Sequence, residues 1–207
     1  MVGPQEIMSM DKKRSLTAAD IMPMADYAKI RKEKRSALAE HKRFRRVEVG
    51  PFATFYFESF DTMWMQVHEM LYIEKGGKAQ IAGELAAYNP LIPNGRELVA
   101  TFMIEIDEPT RRARVLAGLG GIETTAFFSV ANERIAGIAE TDQDRTSEEG
   151  KASSVQFVHF PFTPAQIAAF SKADTQVILG FSHPAYSHMA VLPETVRAAL
   201  AADFAQG

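Results

Sequence analysis

Between residues 23 and 44 the apolar positions are sparse and helically spaced. Met24, Tyr27, Ile30, Leu38 and Phe44 form a thin stripe, and Lys29, Arg31, Lys32, Lys34 and Arg35 fill most of the rest. The pattern predicts a helix opened by Pro23, after a capping-box turn at Thr17-Ala18-Ala19-Asp20. A helix this polar needs a surface to lie on, either the body of the protein or a second copy of itself. Gly50-Pro51 breaks it, and over 52–58 the period falls to two. Phe55 and Phe57 alternate with Tyr56 and Glu58, as in a strand. Helical spacing then returns over 62–75, with Asp61 as the expected N-cap and Gly76-Gly77 as the stop. A second helix spans 78–88 and ends before Asn89-Pro90.

Beyond the breaker cluster Pro93-Asn94-Gly95 the pattern turns mostly to strand. Residues 97–106 read as a strand, and Glu108-Pro109 opens a helix that stops at Gly118. Residues 123–130 and 133–140 form a hairpin around Ala131-Asn132, although the favoured Asn-Gly turn is missing. An acidic loop follows over 141–152. A strand at 153–162, a short helix at 164–171 and strands at 175–183 and 188–192 come next. Pro193 opens a last helix to about residue 204. This order lacks the strict strand–helix alternation of a doubly wound fold. It predicts an α+β domain over 15–207, behind a leader at 1–14. Its largely antiparallel sheet has five or six strands with helices over one face, and a basic N-terminal helical arm occupies 15–46.

The chain has 207 residues, 46% apolar and 24% charged, enough for one core with an ordinary wet surface. Cysteine is absent, which excludes disulfides, thiol nucleophiles and cysteine-ligated clusters. No apolar run is long enough to span a membrane and no secretory h-region opens the chain, so the expected compartment is the cytoplasm. Residues 1–46 carry twelve Lys/Arg against six Asp/Glu, a balance of +6, while the rest carry eleven against twenty, or −9. A basic arm on an acidic body suits an acidic partner or its own body in a homodimer. Nucleic acid fits less well, because the basic helix offers few aromatics for stacking and no helix-turn-helix partner.

The stretch FYFESFDTMWMQVHEMLYIE at 55–74 resembles a bacterial family known as domain of unknown function 3501. The likeness continues through Lys13-Arg14-Ser15-Leu16-Thr17, Arg46-Val47-Glu48-Val49-Gly50-Pro51, Tyr88-Asn89-Pro90-Leu91-Ile92-Pro93 and His183-Pro184-Ala185-Tyr186. It covers almost the whole chain. What the resemblance implies is an accessory role beside bacterial redox and peroxide systems, with a redox protein as partner. It also implies a glutamine where this chain has His68, which argues against an essential catalytic role for that histidine.

Helical spacing over 62–75 sets Thr62, Gln66, Glu69 and Ile73 along one side, next to a row of Met63, Val67, Met70 and Leu71. Glu58 stands just before this helix. Glu58, Gln66 and Glu69 are therefore expected to converge, with Tyr56 behind them, as a site for a small polar or cationic ligand. The plainer reading has these groups capping backbone and pairing with Lys or Arg. His159 alternates with Val155 and Phe157, and His183 with Val177, Leu179 and Phe181. His188 follows five residues later. A metal-dependent enzyme using Glu58, Glu69, His159, His183 and His188 is the alternative, although antiparallel strands would hold His159 and His183 apart. Glu-x-x-His pairs, His-Glu-x-x-His, the phosphate-binding P-loop, Gly-x-Ser-x-Gly and the dinucleotide fingerprint are all missing, so no motif names a cofactor. The leading expectation is a non-catalytic accessory or small-ligand-binding protein.

Overall fold

The computed structural model describes residues 13–140 and 151–205. Most of the expected leader and of the acidic loop lies outside these residues. The helices are α1 (Met24–Lys42), α2 (Phe60–Glu74), α3 (Lys78–Tyr88), α4 (Pro109–Ala117), α5 (Pro164–Ser171) and α6 (Glu194–Ala201). The strands are β1 (Arg46–Val49), β2 (Ala53–Phe57), β3 (Glu97–Ile104), β4 (Ala126–Val130), β5 (Glu133–Ala136), β6 (Ile138–Ala139), β7 (Val155–Pro161), β8 (Val177–Phe181) and β9 (Met189–Val191). The expected α+β class with antiparallel pairing holds. What the pattern did not separate is a second sheet: β1-β2-β3-β7-β6 form one and β5-β4-β8-β9 the other.

One stretch of chain serves both sheets. A single residue, Gly137, stands between β5 and β6, and its N–H donates to the Ala126 carbonyl at 2.8 Å. A Cβ at this position would lie 2.6 Å from Val158 Cγ2, so only glycine lets the chain turn this corner against β7. The expected hairpin at Ala131-Asn132 forms with both residues at positive φ, 49° and 67°, the primed-turn geometry that matches strand twist.

Aromatic rings fill the space between the sheets. Phe55 lies 5.0 Å from Phe181 and 5.3 Å from Phe102, and Phe128 lies 4.8 Å from Phe160, all fully buried. Phe170, Leu200 and Phe204 from α5, α6 and the C-terminal tail extend this core. On the other side of the larger sheet, Val99 and Phe157 pack with Met63, Val67 and Leu71 of α2 in a second cluster. Strand alternation thus gives β3 two buried faces, and β7 one buried and one half-buried face. A buried ion pair between Arg45 and Asp203 ties the start of β1 to the C-terminal tail, and Arg45 also donates to the Phe57 and Glu58 carbonyls at 3.1 and 2.8 Å.

Three expectations need correction. Ser59, not Asp61, caps α2: its hydroxyl accepts from the Thr62 N–H, and Thr62 Oγ1 accepts from the Ser59 N–H at 2.8 Å. Asp61 sits two residues past the cap, in the first turn, where a carboxylate still suits the helix dipole. Strand β1 was not foreseen, since four residues give only two turns of alternation. The basic helix is no outlying arm, because Tyr27 is fully buried against α2. The stripe of Met24, Tyr27, Ile30 and Leu38 is covered or half-covered within the chain, leaving Phe44 exposed. No helix among the described residues is long and apolar enough to cross a membrane.

Candidate functional site

A set of polar and aromatic side chains meets in the seam between α1 and α2. Tyr27 and Arg31 stand one helical turn apart on α1, and face Trp64, His68, Glu69 and Tyr72 on α2. The Tyr27 hydroxyl donates to the Glu69 carboxylate and lies 2.9 Å from Met65 Sδ. Arg31 meets the same carboxylate through Nε at 2.8 Å and Nη2 at 2.7 Å, a forked geometry that fixes both partners. Its guanidinium also lies 4.8 Å from the Tyr72 ring centre. The hydrogen bond from Arg31 holds the Glu69 carboxyl down at about 2. Burial, with the Glu69 carboxylate beside it, pushes the Tyr27 phenol well above its ordinary range.

His68 is fully buried and stacks on Trp64 with ring centres 3.8 Å apart. Its Nδ1 lies 2.7 Å from the Trp64 carbonyl, and its Nε2 accepts from the Met22 N–H at 3.2 Å. One ring nitrogen donates and the other accepts, which is neutral imidazole. Burial pushes its pKa below the ordinary value. Trp64 Nε1 donates to the Asp20 carbonyl at 3.0 Å, so the same two side chains pin the segment that leads into α1.

The four residues expected to converge are held by different neighbours. Tyr56 donates to Glu105 at 2.8 Å, beside Thr54, which meets the same carboxylate at 2.6 Å. Glu58 is buried and accepts from Thr101 at 2.7 Å across the β2–β3 pair. Gln66 reaches Tyr88 of α3 at 3.3 Å, while Glu69 faces α1. Their partners come from β3, the residue just after it, α3 and α1, and among the described residues no hydrogen bond joins any two of the four.

The histidines are likewise kept apart. His159 lies in β7 of the larger sheet and pairs with Glu97 at 3.1 Å; that hydrogen bond holds its imidazole above the ordinary range. It shares the half-buried face of β7 with Val155 and Phe157, while Gln156, Val158 and Phe160 face the inner core. His183 follows β8 of the smaller sheet, accepts from the Ala185 N–H at 3.2 Å and donates to the Gly120 carbonyl at 3.1 Å. The His188 ring packs on Tyr186 with centres 4.5 Å apart. Among the described residues, no three His, Asp or Glu side chains are grouped to hold a metal ion.

Tyr27, Arg31 and Trp64 were not singled out from sequence. The available signal was spacing: a Tyr–Arg pair four apart on one helix and a Trp–His pair four apart on the next, with opposite charge at Arg31 and Glu69. Nothing local says that these two helices meet.

No curated protein matches the chain. A crystal structure described as a novel protein of unknown function, from Burkholderia pseudomallei K96243 at 1.90 Å resolution, is similar over 92% of this chain and 100% of its own. The two share 36% identity and superpose with a TM-score of 0.85. The family model "Protein of unknown function (DUF3501)" matches residues 15–204, nearly all of the domain built above, and the chain belongs to that family.

Proposed function

We propose that the protein is a non-catalytic, small-ligand-binding accessory protein. The observation that carries this reading is the state of its polar groups. Glu69, Glu58, His68 and His183 each direct their hydrogen-bonding atoms at partners in the chain, as structural groups do and as free acids, bases or ligands do not. A thermal-shift screen of small organic acids, bases and divalent cations tests it. Stabilisation by an organic compound that is recovered unchanged is the expected result. Turnover of the compound, or a metal retained in stoichiometric amount and required for the fold, overturns the reading, and so does a flat screen.

The accessory part of the reading concerns a partner from a redox or peroxide system. Support comes from the exposed face of α1, where Lys32, Lys34, Arg35 and Lys42 lie in the open. This basic face suits an acidic protein surface. Association that weakens as salt rises, and again on Lys32→Glu with Arg35→Glu, is the expected behaviour. A homodimer belongs to the same reading. Met189 and Val191 on the edge strand β9 are 65% and 57% exposed and support it. A monomer at every concentration in light scattering removes the dimer.

A further inference from the structure

A cavity of about 300 Å³ opens beside the seam, where the segment entering α1 passes over the turn between α2 and α3. Ile21, Met22 and Met24 form one wall, Leu71 of α2 the floor and Ile81 of α3 the opposite wall. The size falls at the lower end of small-molecule pockets, roughly 300–1,000 Å³. The lining has the right character too, since two methionine side chains adapt their shape to an apolar guest. The cavity is also held open by contacts outside it. The Met22 N–H is bonded to His68 at 3.2 Å, and Trp64 holds the Asp20 carbonyl at 3.0 Å, so the wall is fixed before any ligand arrives. A single charged group lines this cavity, Lys78, which is exposed and has no ion-pair or hydrogen-bond partner among the described residues.

We infer that this cavity binds a small amphiphilic carboxylate, its apolar chain between Met22, Met24 and Ile81 and its anionic head on the Lys78 ammonium. Charge selects the class. An apolar pocket alone accepts an alcohol, an amine or a hydrocarbon about equally, whereas an exposed lysine in the lining favours the acid and disfavours the amine. The inference rests on the small-ligand reading above and assigns that reading a place and a chemistry.

The test uses the full chain with octanoate as probe and octylamine as its charge-reversed counterpart. Titration is followed by calorimetry and by the methyl resonances of Met22 and Met24. Octanoate is expected to bind and to move both methyl signals, and octylamine to bind at least tenfold more weakly. Lys78→Glu, an exposed position whose change leaves the melting temperature in place, is expected to weaken octanoate at least tenfold. Ile81→Trp is expected to fill the cavity and abolish binding. Equal affinity for the two probes, unchanged affinity in Lys78→Glu, or no binding of octanoate overturns the inference. If octanoate fails while another compound binds without moving Met22 and Met24, the site falls and the small-ligand reading stands. If nothing binds at all, both fall.

Discussion

Tyr186 and Val49 stand 137 positions apart, and the Tyr186 hydroxyl donates to the Val49 carbonyl at 2.8 Å. The same oxygen accepts from the Phe52 and Ala53 N–H groups at 2.9 Å each. One phenol thereby satisfies three backbone groups at the β1–β2 turn and ties the smaller sheet's β8–β9 connection to the larger sheet. The turn leaves it no spare room: Gly50 has φ of 70°, and a Cβ there would lie 2.8 Å from the Tyr186 oxygen. Tyr186→Phe keeps the ring and deletes these bonds, leaving buried backbone groups without a partner. A loss of about 1–3 kcal/mol in urea unfolding is expected, with an unchanged slope against denaturant.

Glu69 gives the seam an acid-sensitive element. Its folded pKa of about 2 lies below the ordinary 4.5. The ionised form is favoured by folding, so its contribution is complete above pH 4.5 and is lost as pH falls through about 2. Glu69→Gln is expected to cost about 1–2 kcal/mol at neutral pH, a figure reduced for partial exposure of the pair. Stability measured against pH should fall less steeply below pH 4.5 in this variant than in the parent. Equal slopes would show that the Arg31–Glu69 pair contributes nothing.

His68 acts near neutral pH and through a different cause. Burial lowers its folded pKa below 6.5, so the neutral ring is what folding favours. Its contribution is complete above pH 6.5 and declines as pH falls toward the folded pKa. A neutral amide offers the same pairing, one donor for the Trp64 carbonyl and one acceptor for the Met22 N–H. His68→Gln is therefore expected to cost less than about 1 kcal/mol at pH 8 and to flatten the dependence below pH 6.5, whereas His68→Leu costs about 1–3 kcal/mol at every pH.

Ala131 holds a left-handed conformation, φ 49°, that a side chain with a Cβ adopts at a cost. Asparagine tolerates this region better, and Ala131-Asn132 would become an Asn-Asn turn. Ala131→Asn is expected to raise stability by about 0.5–1 kcal/mol, read as a higher urea midpoint. A lower midpoint would mean that the turn relaxes differently from the arrangement described.

The helices were the most legible part of the chain. Residues 78–88 begin and end where the breakers put them, because Gly77 and Asn89-Pro90 act on their own neighbours, and the short helix at 164–171 forms with the expected bounds. Local signals also found the hairpin at Ala131. They placed the start of α2 two residues late, since Ser59 and Asp61 are both good caps and only the geometry of Thr62 chooses between them. The candidate site was legible in kind but not in place. Glu58, Gln66 and Glu69 are indeed polar groups near a Met-rich core, yet their partners Thr101, Tyr88 and Arg31 come from three other elements.

Periodicity, breakers and composition act over a few residues, so the sequence by itself determined the α+β class, most element positions, the absence of thiol chemistry and the basic character of α1. Which strands share a sheet is a different kind of fact. It depends on backbone pairing such as Phe128 with Leu179 and on a corner at Gly137 that exists only because β7 lies against it. The fate of each polar side chain depends in turn on which elements those pairings bring near. Tertiary structure alone therefore decided that Glu69 is a clamp for Arg31, that His159 lies in one sheet and His183 just past a strand of the other, and that an apolar cavity with Lys78 in its lining opens between Met22 and Ile81.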